Sequence, residues 1–311
     1  MKKDSPKRSV AARVTLVEVG LRDGFQMEKK PVPTALKIEL VSALVDAGLR
    51  RIQAASFVHP QKVPQMADAE ELFRRLPKIS GVRYSALVLN PQGLARALAA
   101  GVKELEISVS ASDAHSRRNA GMGAEKALGK GLAMIREAKS ARVVVRGGIQ
   151  CAFGCASEGR IAQERILAMA EAFLAEGVDL LALCDTAGMA GPVQVRRMLD
   201  RVMPAAGSIP LAVHLHDTRG LGLVNAAAAL DSGVTHFDTA AGGMGGCPFV
   251  AGAAGNIATE DTAVLMAKMG VETGIDIAKV AGVTERLEAF FGKRFPARNR
   301  KELICQPICK P

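Results

Sequence analysis

Apolar positions along this chain fall into two alternating kinds of run. Short β-branched or apolar stretches read as buried strands; longer stretches carry apolar residues at helical spacing. The pattern predicts strands over residues 14–20, 51–55, 82–89, 104–109, 142–152, 178–183, 209–216 and 234–239. It predicts helices over residues 34–47, 66–76, 91–100, 124–138, 161–175, 192–203, 221–232 and 259–269. Gly48 is a natural stop for the first helix. Residues 21–24 read as a polar loop, and a further helix over 275–291 precedes a basic tail.

Strand–helix alternation at this spacing means parallel pairing with right-handed crossovers. Eight such units within residues 14–269 point to a closed (β/α)8 TIM barrel of the α/β class. The alternative is an open doubly wound sheet, but no Gly-x-Gly-x-x-Gly follows the first strand to support dinucleotide binding. The expected organisation is a disordered basic leader over residues 1–12 and a catalytic barrel over 13–272. A C-terminal helix and basic tail over 273–311 are read as an appendage.

Composition narrows the function classes. Apolar content of 49% with 23% charge is that of a well-buried globular chain. No apolar run reaches membrane-spanning length, so no membrane partner is expected. The basic N-terminus lacks the apolar segment of a secretory signal. The net charge of +10 lies mostly in the tails. Lys2, Lys3, Lys7 and Arg8 against Asp4 leave three positive charges. Lys293, Arg294, Arg298, Arg300, Lys301 and Lys310 against Glu302 leave five more. With one Tyr and no Trp, base-stacking platforms are scarce, and no nucleic-acid partner is expected. Six scattered cysteines form no disulfide framework, and Cys151 and Cys155 lack a second pair for structural zinc. That usage points to a reducing, cytoplasmic compartment.

In such barrels chemistry sits at the C-terminal ends of the strands. The unusual polar residues fall there: Arg22 and Asp23, Gln53 and Ser56, Asn90, Ser108 and Ser110, Gln150 and Cys151, Asp185 and Thr186, and His214 and His216. Asp238 lies on the eighth strand. In Leu211-Ala-Val-His-Leu-His-Asp-Thr218 the two imidazoles sit two residues apart, so both point to one face of a strand. Asp23, at the exit of the first strand, is the natural third ligand of a metal ion. Two nitrogens plus oxygen ligands suit Mg²⁺ or Mn²⁺, and Zn²⁺ fits the histidines equally well. Such an ion lowers the pKa of a hydroxyl that it binds. Arg22 beside it is suited to stabilising a developing oxyanion. The glycine-rich stretch 242–255 reads either as a lid whose Cys247 donates a proton or as a tight turn with an inert thiol.

Five motifs together resemble the 3-hydroxy-3-methylglutaryl-CoA lyase family, over roughly residues 14–290. They are Val17-Glu-Val-Gly-Leu-Arg-Asp-Gly24, Ser56-Phe-Val-His-Pro60 with Val63-Pro-Gln-Met-Ala-Asp68, His214-Leu-His-Asp-Thr218, Gly245-Gly-Cys-Pro248 and Gly255-Asn-Ile-Ala-Thr-Glu-Asp261. The resemblance implies a metal-dependent TIM barrel that cleaves a 3-hydroxyacyl-CoA into acetyl-CoA and a keto acid. It implies Asp23, His214, His216 and Asn256 as metal ligands and Arg22 as the enolate-stabilising cation. Cys247 becomes the lid acid, and Asp185 matches an active-site aspartate. The implied chemistry is a retro-Claisen cleavage. The C3 hydroxyl loses its proton, the C2–C3 bond breaks, and the thioester enolate is protonated. A homodimer is implied too, and Cys309 loosely echoes a C-terminal regulatory or intersubunit thiol.

The departures cluster around the acyl pocket. Gln53 stands where the family pattern has Glu, and an amide can be neither a base nor an anion. Arg146-Gly-Gly148 replaces Arg-Gly-Tyr, which is expected to enlarge the pocket. Gln150 replaces a small Ser, and Cys184 a Gly. The expected substrate-binding set is Gln53, Ser56, Gly148, Gln150 and Thr186. The readings that remain are a lyase with altered acyl preference, a true hydroxymethylglutaryl-CoA lyase tolerating Gln53, a condensing enzyme of the same barrel group, and an impaired acyl-CoA-binding homologue.

Overall fold

Eight parallel strands close on themselves in the computed structural model, which describes residues 11–246 and 255–299. They are β1 (Thr15–Glu18), β2 (Arg51–Ser56), β3 (Arg83–Val88), β4 (Glu104–Ser110), β5 (Val144–Gln150), β6 (Leu180–Asp185), β7 (Leu211–Leu215) and β8 (His236–Thr239). They pair in chain order, and β8 returns to β1 with Thr15 opposite His236 and Val17 opposite Asp238. Helices α1 (Thr34–Asp46), α2 (Ala69–Arg75) and α3 (Pro91–Ala99) follow the first three strands. Next come α4 (Asp113–Ala120), α5 (Ala124–Ser140), α6 (Gln163–Ala175), α7 (Pro192–Ala206), α8 (Gly222–Asp231), α9 (Thr259–Lys268) and α10 (Ile277–Phe291). The barrel expectation is met and the open sheet is excluded. None of the helices among the described residues is long and apolar enough to cross a membrane.

Local differences have local causes. Residues Gly20–Gly24 form a buried π-helical turn rather than a polar loop. The extra helix α4 was not visible as apolar periodicity because its sequence, Asp-Ala-His-Ser-Arg-Arg-Asn-Ala, is mostly polar. Its ends specify it instead. The Ser112 hydroxyl accepts the His115 N–H at 3.0 Å, and Gly121 takes the left-handed conformation that ends the helix. Strand β5 is shorter than expected because Arg142 and Cys151 both have positive φ, 57° and 56°.

Residues alternate across the barrel wall. On β4, Leu105, Ile107 and Val109 belong to the apolar layer between strands and helices. The intervening Glu104, Glu106 and Ser108 point to the interior, as their partners show. Gln53 on β2 donates to Glu106 at 2.8 Å past the intervening β3. Arg146 on β5 donates to both carboxylate oxygens of Asp238 on β8, at 2.7 and 2.6 Å, past β6 and β7. Barrel interiors are commonly packed with branched apolar side chains; this one is wired with charge.

Beneath residues 241–243 lies a second set of buried carboxylates. Glu18 accepts N–H bonds from Gly20 and Ala241 and a hydroxyl from Thr259. Glu260 accepts from the Gly242 N–H and the Thr284 hydroxyl. The segment after α10 closes the same corner: Ala297 donates to the Gly242 carbonyl, and Arg298 and Asn299 donate to Asp261. Helix α10 also packs on α1 and α9.

Burial, only partly offset by those donors, raises the Glu18 pKa from 4.5 to about 7. A raised carboxyl pKa means the folded state holds the proton longer than the unfolded state does. The associated stability is complete below pH 4.5 and is lost as pH rises through about 7. Glu18→Gln keeps the acceptor for Gly20 and can donate to Thr259, whose hydroxyl already reaches Thr239. The expected outcome is that this variant loses of order 3 kcal/mol less stability than wild type between pH 4.5 and 7.5. Urea midpoints at the two pH values measure this. Equal slopes for the two proteins would refute it.

Candidate active site

Three potential ligands converge where β7 meets the π-helical turn. His214 ends on the interior face of β7, and His216 lies two residues on. Their Nε2 atoms are 3.0 Å apart. Asp23 Oδ2 lies 4.0 Å from His214 Nε2 and 3.7 Å from His216 Nε2. All three residues are buried, and their ligand atoms lie within 4.8 Å of one another. The tight turn at Gly20–Gly24 aims Asp23 at the histidines, which an extended loop would not do.

Two of the three, His214 and Asp23, are oriented from behind. His214 Nδ1 is 3.1 Å from Asp238 Oδ2, and Asp238 is itself gripped by Arg146. This carboxylate–histidine contact turns Nε2 toward His216. Burial pushes the Asp238 carboxyl up, but Arg146 and His214 more than offset it, leaving it well below the usual range. Asp23 behaves likewise: burial is outweighed by Arg22 and the two imidazoles, and it stays ionised. For His214, burial is outweighed by Asp238 and Asp23, so its pKa is raised.

The donor set fits a divalent cation. Asn256 Oδ1 is buried without a hydrogen-bond partner among the described residues. Asn256 Nδ2 donates to Asp23 Oδ2 at 2.8 Å and to the Met244 carbonyl at 2.9 Å. Which end of an amide is oxygen is an assignment made from its hydrogen bonds. Turned over, the amide would set its oxygen beside the Asp23 carboxylate, a pairing that a bound cation would balance.

Around this cluster lies a cavity of about 120 Å³, lined in part by Arg22, Asp23, Gln150, Thr186, His214, His216 and Gly246. Leu87, Leu89, Glu106, Ser108 and Cys184 complete much of its wall, and α4 contributes His115 and Asn119. Arg22 donates through Nε to Gln53 Oε1 and through Nη1 to Asp23 Oδ1, so its guanidinium plane is held on two sides. Burial, then the neighbouring Glu106, push the Cys184 thiol well above its ordinary pKa, so it is a neutral wall group. A larger open hollow of about 740 Å³ lies at the N-terminal ends of β3, β4 and β5. It contains none of the expected site residues.

Not every expected residue reaches the cavity. Gln53 lies behind Arg22, almost fully buried. Asp185 points away: its carboxylate accepts the N–H groups of Met189 and Ala190 at 2.8 and 3.0 Å and shapes the turn after β6. Strand parity is the reason, since Cys184 next to it takes the interior face. Ser56 is buried, its hydroxyl without a partner among the described residues, beyond a register shift between Gln53 and Ala55. Asn90 caps α3 through the Gly93 N–H. The room expected above Gly148 is already taken. A Cβ there would lie 2.6 Å from Ser108 Oγ and 2.9 Å from Glu106 Oε1. Cys247, Cys305 and Cys309 lie outside the described residues.

Glu106, Arg146 and Asp238 join the site only through the fold; their signal in the sequence is a charged residue inside a strand whose other face is apolar.

The model of the HMGL-like family matches residues 13–286. The cytoplasmic 3-hydroxy-3-methylglutaryl-CoA lyase of Mus musculus is 41% identical over 267 residues, covering 86% of this chain and 78% of the relative. The crystal structure of the Bacillus subtilis HMG-CoA lyase superposes with a TM-score of 0.91 at 35% identity, covering 96% of this chain and 100% of that one. An HMG-CoA lyase from Acinetobacter baumannii, solved with coenzyme A and 3-methylmalate, has a TM-score of 0.90 at 34% identity, covering 98% of each chain.

Titration with Mn²⁺ is expected to find one site per chain that Asp23→Asn removes. Asp238→Asn, which leaves every ligand in place but frees the His214 ring, is expected to weaken binding by about 10–100-fold. Calorimetry beside a thermal melt checks this; unchanged affinity in a folded Asp238→Asn protein would exclude the orienting role.

Proposed function

The chain belongs to the HMGL-like family, and on that footing we propose that it is a divalent-metal-dependent carbon–carbon lyase. Its substrate is 3-hydroxy-3-methylglutaryl-CoA, cleaved to acetyl-CoA and the four-carbon keto acid. The observation that carries this reading is the convergence of the buried side chains of Asp23, His214 and His216 beside Arg22 in one cavity. Asp23, His214, His216 and a turned Asn256 would hold the cation, with Mg²⁺ or Mn²⁺ favoured by the mixed oxygen and nitrogen donors. When bound, a divalent ion supplies a Lewis acid that eases loss of a hydroxyl proton.

The remaining work falls to the chain's own side chains. Arg22 offers its free N–H groups to the thioester oxygen as the C2–C3 bond breaks and negative charge gathers there. Its orientation is set beforehand by Gln53 and Asp23, so little reorganisation is needed at the moment of cleavage. Gln150 and Thr186 line the wall that the acyl chain meets. Cys247 is assigned the final protonation of C2, from the stretch that follows Gly245 and Gly246. Gly245 has a φ of +119°, and a Cβ there would lie 2.6 Å from Asn256 Nδ2, so any side chain would be strained and would press on the ligand cluster. Asp185, with its carboxylate committed to two backbone N–H groups, is given a structural part only.

A homodimer and a cytoplasmic location complete the reading. The first is supported by exposed Val193 and Val224 on neighbouring helices α7 and α8. The second is supported by buried free thiols at Cys151, Cys155 and Cys184.

Purified protein is expected to release acetyl-CoA from 3-hydroxy-3-methylglutaryl-CoA with Mg²⁺ or Mn²⁺, and to stop when EDTA is added. Arg22→Gln is expected to lower kcat by about 10²–10³-fold. Cys247→Ala is expected to lower turnover by at least about 100-fold while metal affinity stays unchanged. Release that persists in EDTA, or a fully active Cys247→Ala protein, would count against the assigned chemistry.

A further inference from the structure

Glu106 is a carboxylate in the cavity wall for which neither the cation cluster nor Arg22 accounts. It is 4% exposed, and its surroundings are specific. Its Oε2 accepts the Gln53 Nε2 hydrogen bond at 2.8 Å and lies 3.3 Å from Arg146 Nε. Its Oε1 stands over Gly148, where any side chain would displace it. Ser108, two residues along β4, lines the same wall.

The orientation of Gln53 is dictated from both sides. Its oxygen must face the Arg22 guanidinium, and its NH₂ must face the Glu106 carboxylate. A neutral amide meets both demands, whereas an ionised glutamate at 53 would serve Arg22 but set two carboxylates 2.8 Å apart, where their repulsion raises the pKa of one. Gln53 is therefore the partner that Glu106 requires, and the glycine at 148 is the space that Glu106 needs.

We propose that Glu106 carries the active-site carboxylate in this chain, facing the substrate acyl group, and that Gln53 is a neutral positioning residue linking it to Arg22. The carboxylate that the resemblance places on the second strand has moved one hydrogen bond across the barrel to the fourth. The charge balance around the cavity supports this. Asp23, Asp238 and Glu106 face Arg22 and Arg146, and a divalent ion turns that single negative excess into a single positive one, suited to an anionic acyl group. Moving the carboxylate also changes the wall that the acyl chain meets, because Glu106 Oε1 and Ser108 Oγ fill the space above Gly148.

The inference rests on the lyase reading, so its test has two arms. In the first, acetyl-CoA release is measured against pH for wild type, Glu106→Gln, Gln53→Glu and the double variant. Glu106→Gln is expected to lower kcat/KM by about 100-fold without unfolding, since Gln53 can still donate to the new amide. Gln53→Glu alone is expected to lower kcat/KM as well, because it sets a second carboxylate against Glu106. The double variant, with the carboxylate returned to β2, is expected to recover to within about tenfold of wild type. A Glu106→Gln protein within about threefold of wild type, or a double variant no better than it, overturns the proposal.

The second arm reads thermal melting at pH 7.5 and needs no turnover. Gln53→Glu is expected to lower Tm and the double variant to restore it; a neutral Gln53→Glu, or no restoration, overturns the exchange of charge. If wild type releases no acetyl-CoA, the lyase reading fails and this arm still decides the relocation.

Discussion

The interaction on which the rest depends is the bidentate pair between Arg146 and Asp238, made across the interior of the barrel. Two charges taken out of water repay their desolvation only with close geometry and further hydrogen bonds. The geometry is close, and Asp238 has a second hydrogen-bond partner in His214, while Arg146 Nε has an ionic contact with Glu106 at 3.3 Å. Removing either member of such a pair strands a buried charge, typically at about 3–5 kcal/mol. The pair therefore constrains every neighbour that touches it.

From it the site is assembled by succession. Asp238 turns the His214 ring, His214 faces His216, and Asp23 closes the triangle with Arg22 alongside. In the other direction Glu106 ties Arg146 to Gln53, and Gln53 returns to Arg22. The reactive end of the barrel is thus a ring of side chains in which each polar group has its orientation set by the next. Such preorganisation lowers the reorganisation needed when charge develops in a bound substrate. The same ring makes the Gln53 departure consistent with activity, since the amide has a duty at each end.

The second buried carboxylate set answers a different need. Among the described residues, Glu18 and Glu260 meet backbone N–H groups and hydroxyls but no guanidinium or ammonium group. Burial therefore dominates, and Glu18 is raised where Asp23 and Asp238 are lowered. These groups brace the backbone beneath residues 241–243, from which the glycine-rich stretch departs. Burial is shared by both sets; a nearby cation is what separates a permanent anion from a carboxyl that titrates near neutrality.

The sequence by itself determined the barrel, because apolar runs alternating between strand and helix periods admit few packings and eight such units close. It also determined that His214 and His216 share a face, since that follows from strand parity alone, and that the Asp23 turn lies at the same rim. Tertiary structure decided what parity and spacing cannot. Asp185 carries the sequence context of a reactive residue but falls on the outward face, where backbone N–H groups take it. Helix α4 is specified by its ends, which an apolar period does not report. Above all, Glu106, Arg146 and Asp238 are far apart along the chain, and only closure of the barrel brings them within reach of one another. A charge inside a strand announces that it must be balanced; which residue balances it depends on the three-dimensional path of the chain.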